Sequence, residues 1–413
     1  MAPGGAPNGH NRKVTTRHRD SRTTSRTVIK AVALGAAVGG GTALLTGAAV
    51  STLAAYFARQ VVTPNREKPD DVDILAVEAD RVTLQATPGT VSPGIYGLFT
   101  ERGKGHSRVG DVIEKDMRAR TVTRAVTQVD SGALAPGRGR WNKYYFAGTP
   151  AGALGIRHQD IEIGSDAGML PTWYVPPSKE VARRDVWAIL VHGRGASREE
   201  CLRAVPVLHR IGVPILVPSY RNDMEGPATS GRLSLGDTEW QDIEAAILYA
   251  LDAGAKDVVL FGWSMGGAIV LQLVSRSWTS QRVRALVLDS PVIDWKDVLD
   301  HHAEIARLPR PISRLGLAMM ADKAWRRVVG TDGPVDLRRL DWVTRAAELK
   351  LPVLLLHSDD DEFVPSGPSR RLAQARPDLV TFLSFPHARH CQEWNVDPER
   401  WEREVARFLL GLL

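Results

Sequence analysis

From about Gly155 to its C-terminus the chain alternates short, wholly apolar runs with longer stretches of helical spacing. No other feature restricts the fold as much. "VWAILVH" (186–192), "VPILVPSY", "DVVLFG", "VRALVLDS", "LPVLLLH" and "LVTFLSFP" read as strands with no polar face. A strand that is apolar on both sides must be covered on both sides. Between them lie "REECLRAVPVLHRIG", "GDTEWQDIEAAILYALDAG", "MGGAIVLQLVSRS" and "PSGPSRRLAQARP", and "DPERWEREVARFLLGLL" closes the chain. Their apolar positions recur at the helical period. Strands joined through helices pair in parallel by right-handed crossovers. The expected fold class is therefore α/β, a doubly wound, mainly parallel sheet flanked by helices. "QDIEIGSDAGMLPTWYVPP" adds a hairpin ahead of it. Residues from about 291 to 350 exceed what one crossover needs and are expected to form a helical lid insertion.

Upstream of this region the composition changes repeatedly. Residues 1–30 carry seven basic side chains against one acid, Asp20, while the whole chain has a net charge of +6. The excess charge thus belongs to this tail, and a nucleic-acid-binding body is not expected. Residues 31–58, "AVALGAAVGGGTALLTGAAVSTLAAYFA", hold no acid or base. As a helix they could cross the roughly 30 Å hydrocarbon core of a bilayer. A transmembrane anchor is the expectation, with a cleaved signal sequence as the alternative. Basic residues before the span and "REKPDDVDILAVEAD" after it orient the N-terminus to the cytoplasm and the body outside it. The body is then membrane-tethered, or secreted if the segment is cleaved. Residues 59–71 read as a linker and 72–154 as a β-rich extension without a readable role. Residues 155–413 form the main domain.

The chemistry centres on "DVVLFGWSMGGAIVLQLV" (257–274), an apolar strand, a Gly-x-Ser-x-Gly and an apolar helix. A hydroxyl at such a turn is presented above the sheet, and flanking glycines are needed because a Cβ would clash with the bent backbone. Ser264 is thus the candidate nucleophile, with Gly262 and Gly266 as the elbow glycines. The helix N-terminus behind it offers the N–H of Met265 to an oxyanion. A serine hydroxyl needs a base held by an acid. Two later loops supply them: "LLLHSDDDEFVP" holds Asp359, Asp360 and Asp361, and "FPHARHCQEWN" holds His387 and His390. Each loop follows an expected strand. His301 and His302, inside the insertion, read as an exposed pair and not as a metal site. His192 and Trp263 read as structural, and Trp394 as an anchor for the histidine loop.

These segments resemble the α/β-hydrolase superfamily of serine hydrolases. "GWSMGG" is similar to its nucleophile elbow, "VHGRGAS" to its oxyanion loop, "HSDDDEFVP" to its acid loop and "ARHCQEWN" to its histidine loop. Ser358 stands where that family commonly has Gly. The resemblance implies Asp361 as the acid, His390 as the base and the backbone N–H of Arg194 as second oxyanion donor. It implies an esterase- or lipase-like activity through an acyl-enzyme, on a small-molecule or lipid ester. A serine peptidase is the alternative within enzymes, and a non-catalytic tethered module the alternative outside them. No metal or organic cofactor is implied. More narrowly, the chain resembles membrane-anchored actinobacterial α/β-hydrolase proteins. Tyr220 and Arg221, after the next strand, are candidate pocket residues. The Arg194 side chain is expected either to meet an anionic substrate or to be solvated. Helices of this fold would bring Cys201 and Cys391 together, either as a disulfide tying the base loop to the oxyanion side or as two buried free thiols.

Overall fold

The computed structural model describes residues 47–64 and 68–413. The basic tail, and residues 31–46 of the expected membrane span, lie outside the described residues. The other end of that span begins helix α1 (Gly47–Val62), 16 residues long. Ala54, Ala58 and Val62 recur every fourth residue and are fully buried against the main domain. Ala54 and Ala58, near the end of the expected span, therefore pack on protein. Among the described residues no helix is long and apolar enough to cross a membrane.

The extension is a closed six-stranded antiparallel barrel. Its strands are β1 (Val72–Val77), β2 (Arg81–Gln85), β3 (Tyr96–Thr100), β4 (Gly105–Asp116), β5 (Thr121–Ser131) and β6 (Gly137–Asn142), ordered β1-β2-β5-β4-β3-β6. Closure leaves no unpaired strand edge. Alternate residues such as Val82 and Leu84 point inward and join Val72, Ile74, Leu98, Val109 and Val122 in a small core. Arg124 is fully buried there. Its guanidinium donates to the carbonyls of Gly110 (2.9 Å), Thr90 (2.9 Å), Ser92 (2.7 Å) and Gly94. Burial lowers its pKa to about 10. These bonds fix the loop at 90–94, which matters below.

The main domain is an eight-stranded sheet, mainly parallel. Its strands are β7 (Gln159–Ser165), β8 (Gly168–Val175), β9 (Val186–Val191), β10 (Ile215–Pro218), β11 (Asp257–Trp263), β12 (Val283–Asp289), β13 (Val353–His357) and β14 (Val380–Ser384). The order is β14-β13-β12-β11-β9-β10-β8-β7. Strands β9 to β14 pair in parallel, and the β7–β8 hairpin joins antiparallel through β10. Successive side chains serve opposite faces: Val258 and Leu260 of β11 enter one core, Val259, Phe261 and Trp263 the other. The first face is covered by α2 (Trp240–Asp252), α3 (Met265–Arg276), α4 (Trp295–Ile305), α5 (Arg310–Ala321) and α6 (Gly367–Ala375). The second is covered by the short helix Val205–Arg210 and by α7 (Pro398–Leu410).

One local outcome departs from the spacing. "REECLRAVPVLHRIG" is a 3-10 stretch, Arg198–Ala204, followed by the helix Val205–Arg210. Pro206 has no N–H and its ring displaces the carbonyl four residues back, so an α-helix cannot run through it. Helices α4 and α5 lie in the β12–β13 connection, and α1 packs on α5. A Cβ on Gly316 would sit 2.9 Å from the Ala54 carbonyl oxygen, so this close approach requires glycine.

Candidate active site

Ser264 occupies the turn between β11 and α3 with φ 53° and ψ −116°, a left-handed conformation costly for any residue with a Cβ. The surrounding backbone enforces it. Ser264 N–H donates to Asp289 O (3.1 Å), and the Ser264 carbonyl accepts from Gly267 (3.0 Å) and Val292 (3.0 Å). A Cβ on Gly262 would lie 2.6 Å from the Gly266 backbone, and one on Gly266 would lie 2.1 Å from Val191 O. Only glycine fits either position.

The acid and histidine loops converge on this turn. His390 Nε2 lies 2.9 Å from Ser264 Oγ, and His390 Nδ1 lies 2.8 Å from Asp361 Oδ2. The other Asp361 oxygen accepts from the N–H groups of Phe363 (2.9 Å) and Val364 (2.8 Å). His357 Nε2 stands 3.3 Å from Asp361 Oδ2. Burial opposes the Asp361 charge, but His390 and His357 outweigh it and hold the carboxyl far below its usual range. The neighbouring candidates serve elsewhere. Asp360 is exposed and accepts from the His387 N–H (2.8 Å), and Asp359 pairs with Arg370 on the surface. His387 has no bond to Ser264 among those the described residues make.

The oxyanion loop is backed by Glu200, a residue that sequence reasoning passed over. Gly193 packs so tightly on the elbow that a Cβ there would be 3.0 Å from Ser264 Cβ. Its N–H donates to Glu200 Oε2 (2.7 Å), a fully buried carboxylate. Arg194 follows directly, and Met265 opens α3. The Arg194 side chain is half-buried and already engaged: it donates to the carbonyls of Gln60 (3.0 Å) and Thr63 (2.7 Å) at the end of α1.

Tyr220 and Arg221 are not pocket residues. Tyr220 is buried behind the oxyanion loop, stacked on His192 at 4.6 Å and donating to Gly193 O (3.1 Å). His192 in turn bonds Asp223 (3.0 Å). Burial opposes protonation of His192, but Asp223 outweighs it and raises the imidazole's pKa. Arg221 is engaged by Asp242 through two bonds of 2.9 and 2.8 Å, and by Asp166. A guanidinium so matched to one carboxylate fixes α2 to the β10 loop.

Of the two alternatives for Cys201 and Cys391 the structure shows the second: both are buried free thiols, with no disulfide between them. The tie it would have made exists in another form. Arg203 donates to the Cys391 carbonyl (2.7 Å) and lies 3.6 Å from Glu200, joining the base loop to the oxyanion side. Nor are His301 and His302 an idle exposed pair. Their Nε2 atoms donate to the carbonyls of Glu362 (3.1 Å) and Phe363 (2.9 Å), so the insertion clasps the acid loop. Phe363 contacts both the His302 ring (4.4 Å) and the His390 ring (5.0 Å). Desolvation pushes the His302 pKa down to about 4. Trp263 is fully buried in the second core, and Trp394 packs on Phe146 (5.4 Å) beyond the barrel.

A serine, histidine and carboxylate joined in this order above a parallel sheet define the geometry of an α/β serine hydrolase. The comparisons agree at the level of family. Residues 188–407 match the model of the Alpha/beta hydrolase family, more than half of the chain, and the chain belongs to that family. Residues 73–142, the barrel, match a domain of unknown function. The chain is 26% identical over 280 residues to the alpha/beta hydrolase domain-containing protein WAV2 of Arabidopsis thaliana, covering 63% of this chain and 81% of that one. It is 22% identical over 252 residues to the uncharacterized protein YfhR of Escherichia coli K12, covering 60% and 78%. The solved esterase Pf2001 of Pyrococcus furiosus superposes with a TM-score of 0.50 at 20% identity, covering 65% of this chain and 97% of that one, a likeness of fold. These matches lend no support to the narrower resemblance to membrane-anchored actinobacterial proteins.

Proposed function

We propose that this protein is a serine hydrolase that cleaves a carboxylic ester through an acyl-enzyme. The observation that carries the reading is the unbroken hydrogen-bond chain from Asp361 through His390 to Ser264. Ser264 Oγ attacks the ester carbonyl carbon while His390 Nε2 takes its proton. Asp361 fixes the tautomer with Nδ1–H toward itself and stabilises the imidazolium. The tetrahedral oxyanion accepts from the N–H groups of Met265 and Arg194, a contribution of about 3–4 kcal/mol per donor in well-measured cases. Collapse breaks the bond to the leaving alcohol, which receives the proton from His390. Water then attacks the acyl-Ser264 ester by the reverse proton route, releasing the acid.

The apolar segment that begins at residue 31 is read as tethering the enzyme, with the N-terminus cytoplasmic and the body outside, while Ala54 and Ala58 near its end pack on the main domain. Helix α1 contains the end of that segment and reaches the Arg194 rim of the site, which favours an ester lodged in a lipid surface as the substrate. The test is covalent labelling of the full chain in vesicles with a fluorophosphonate, followed by mapping of the adduct. An adduct on Ser264, lost in Ser264→Ala, with turnover of acyl esters, is expected. Turnover of peptides in place of esters would reassign the substrate, and a folded protein that takes no label would make the site a non-catalytic scaffold.

A further inference from the structure

The barrel has so far had no part in the chemistry, yet its exit strand leads into the buried base of the site. Strand β6 ends at Asn142, and the next residue, Lys143, places its ammonium on Glu200 Oε1. The Lys143 side chain is 20% exposed and that of Glu200 is 0% exposed. The second Glu200 oxygen holds the Gly193 N–H at 2.7 Å, directly ahead of the Arg194 oxyanion donor. A carboxylate without solvent is costly unless paired. Here burial opposes its charge, but Lys143 first and then Arg203 outweigh that, holding the Glu200 pKa down to about 2. Arg203 is 3.6 Å away, so Lys143 is the closer of the two cations.

A second contact reinforces the first. Tyr144 Oη accepts from the Ser197 N–H (3.1 Å), and its ring clusters with Phe99 of the barrel and Ala196 of the oxyanion loop. Tyr144 O is itself held by His106 of β4 at 3.0 Å. The barrel also grips the base loop. Asn395 Nδ2 donates to Ile95 O (2.7 Å) and Lys143 O (2.8 Å), and the Ile95 N–H returns a bond to Asn395 O (2.9 Å). The approach is so close that a Cβ on Gly94 would lie 2.1 Å from Asn395 O. Arg124 pins the 90–94 loop from inside the barrel. One small domain thus touches both loops that flank the nucleophile.

We infer that the barrel is a clamp for the hydrolytic site, and that Lys143 is a positioning residue which neutralises Glu200 so that Glu200, by holding the Gly193 N–H, can fix the backbone that presents the next N–H, that of Arg194, as an oxyanion donor. The inference rests on the hydrolase reading above. Without the ammonium, Glu200 carries an under-compensated charge directly behind a developing oxyanion and pulls toward Arg203. Both effects weaken transition-state stabilisation and leave ground-state binding little changed.

The full-length protein in detergent is assayed with a p-nitrophenyl acyl ester, and kcat is expressed per site titrated by the fluorophosphonate, so that only folded, labelled protein is counted. Lys143→Met is expected to lower kcat by ~10-fold or more with KM within about twofold. Lys143→Arg keeps the charge and should retain most of kcat. Lys143→Met/Glu200→Gln removes the uncompensated carboxylate and should recover part of the loss. It also serves if the single variant does not fold. Arg138→Ala, at an exposed ion pair with Asp73 on the barrel, is the control and should match the wild type. If Lys143→Met retains wild-type kcat per labelled site, or if Lys143→Arg falls as far as Lys143→Met, the clamp is refuted while the hydrolase stands. If the wild type neither labels nor turns over, the hydrolase reading fails and takes the clamp with it.

Discussion

Asp361→Asn tests the site at the atom where its hydrogen bonding is most constrained. One carboxylate oxygen receives two backbone N–H groups at 2.9 and 2.8 Å, and the other faces His390 Nδ1 at 2.8 Å with His357 Nε2 at 3.3 Å. An amide has one accepting and one donating end. The two N–H groups claim the carbonyl, which turns the NH2 toward His390. The imidazole then accepts at Nδ1 and carries its proton on Nε2, pointing at Ser264. It can no longer take the serine proton. The NH2 also meets His357 Nε2, whose hydrogen is directed to Val364 O at 3.0 Å, so two donors oppose each other. The same substitution at the acid of a well-studied triad costs about 10⁴ in kcat through the wrong tautomer. That corresponds to about 5.5 kcal/mol of transition-state stabilisation. The expected result is a fall of ~10³–10⁴ in kcat with KM unchanged, on protein shown to be folded by calorimetry. Loss of less than tenfold, or a larger loss in Asp360→Asn, would refute the assignment of the acid.

Three further outcomes follow from the geometry. Gly266→Ala forces a Cβ to within 2.1 Å of Val191 O and should lower stability by about 1–3 kcal/mol or prevent folding, whereas Gly333→Ala, with nothing within 4 Å, should be neutral by thermal melt. His302 is held neutral by burial, which lowers its folded pKa from the ordinary 6.5 to about 4, so the unfolded chain binds its proton first. Its contribution is present above pH 6.5 and lost as pH falls toward 4, on the order of 3 kcal/mol in all, and His302→Gln should flatten the melting temperature across that window. Arg194→Ala removes both side-chain bonds to the end of α1 and should speed amide exchange in residues 47–64. Unchanged exchange there would show that apolar packing alone holds α1.

The parallel sheet was legible because strands buried on both faces have no polar alternation, and the order of "DVVLFG", "VRALVLDS" and "LPVLLLH" along the chain carries over to adjacent strands β11, β12 and β13. The elbow was legible because Gly262 and Gly266 flank a hydroxyl at a strand-to-helix change. Asp361 and His390 could be singled out only through the family pattern, since three aspartates and two histidines share those loops. Lys143, Glu200 and Arg203 gave no comparable signal. Glu200 and Arg203 lie in a stretch read only for its helical spacing, and Lys143 in the β-rich extension without a readable role. Tyr220 and Arg221 were misread because the end of a strand near the rim says nothing about which way a side chain is already committed.

Hydrophobic pattern and turn chemistry are local properties, and they determined the layers, the crossover fold and the place of the nucleophile. Partnership is not local. The tertiary structure alone decided that β1 to β6 close into a barrel and that α1 rests on the lid. It also decided that a lysine from the barrel meets a glutamate beneath the oxyanion loop. Each of these depends on surfaces brought together from distant parts of the chain, and a buried charge is tolerated only once its partner has arrived.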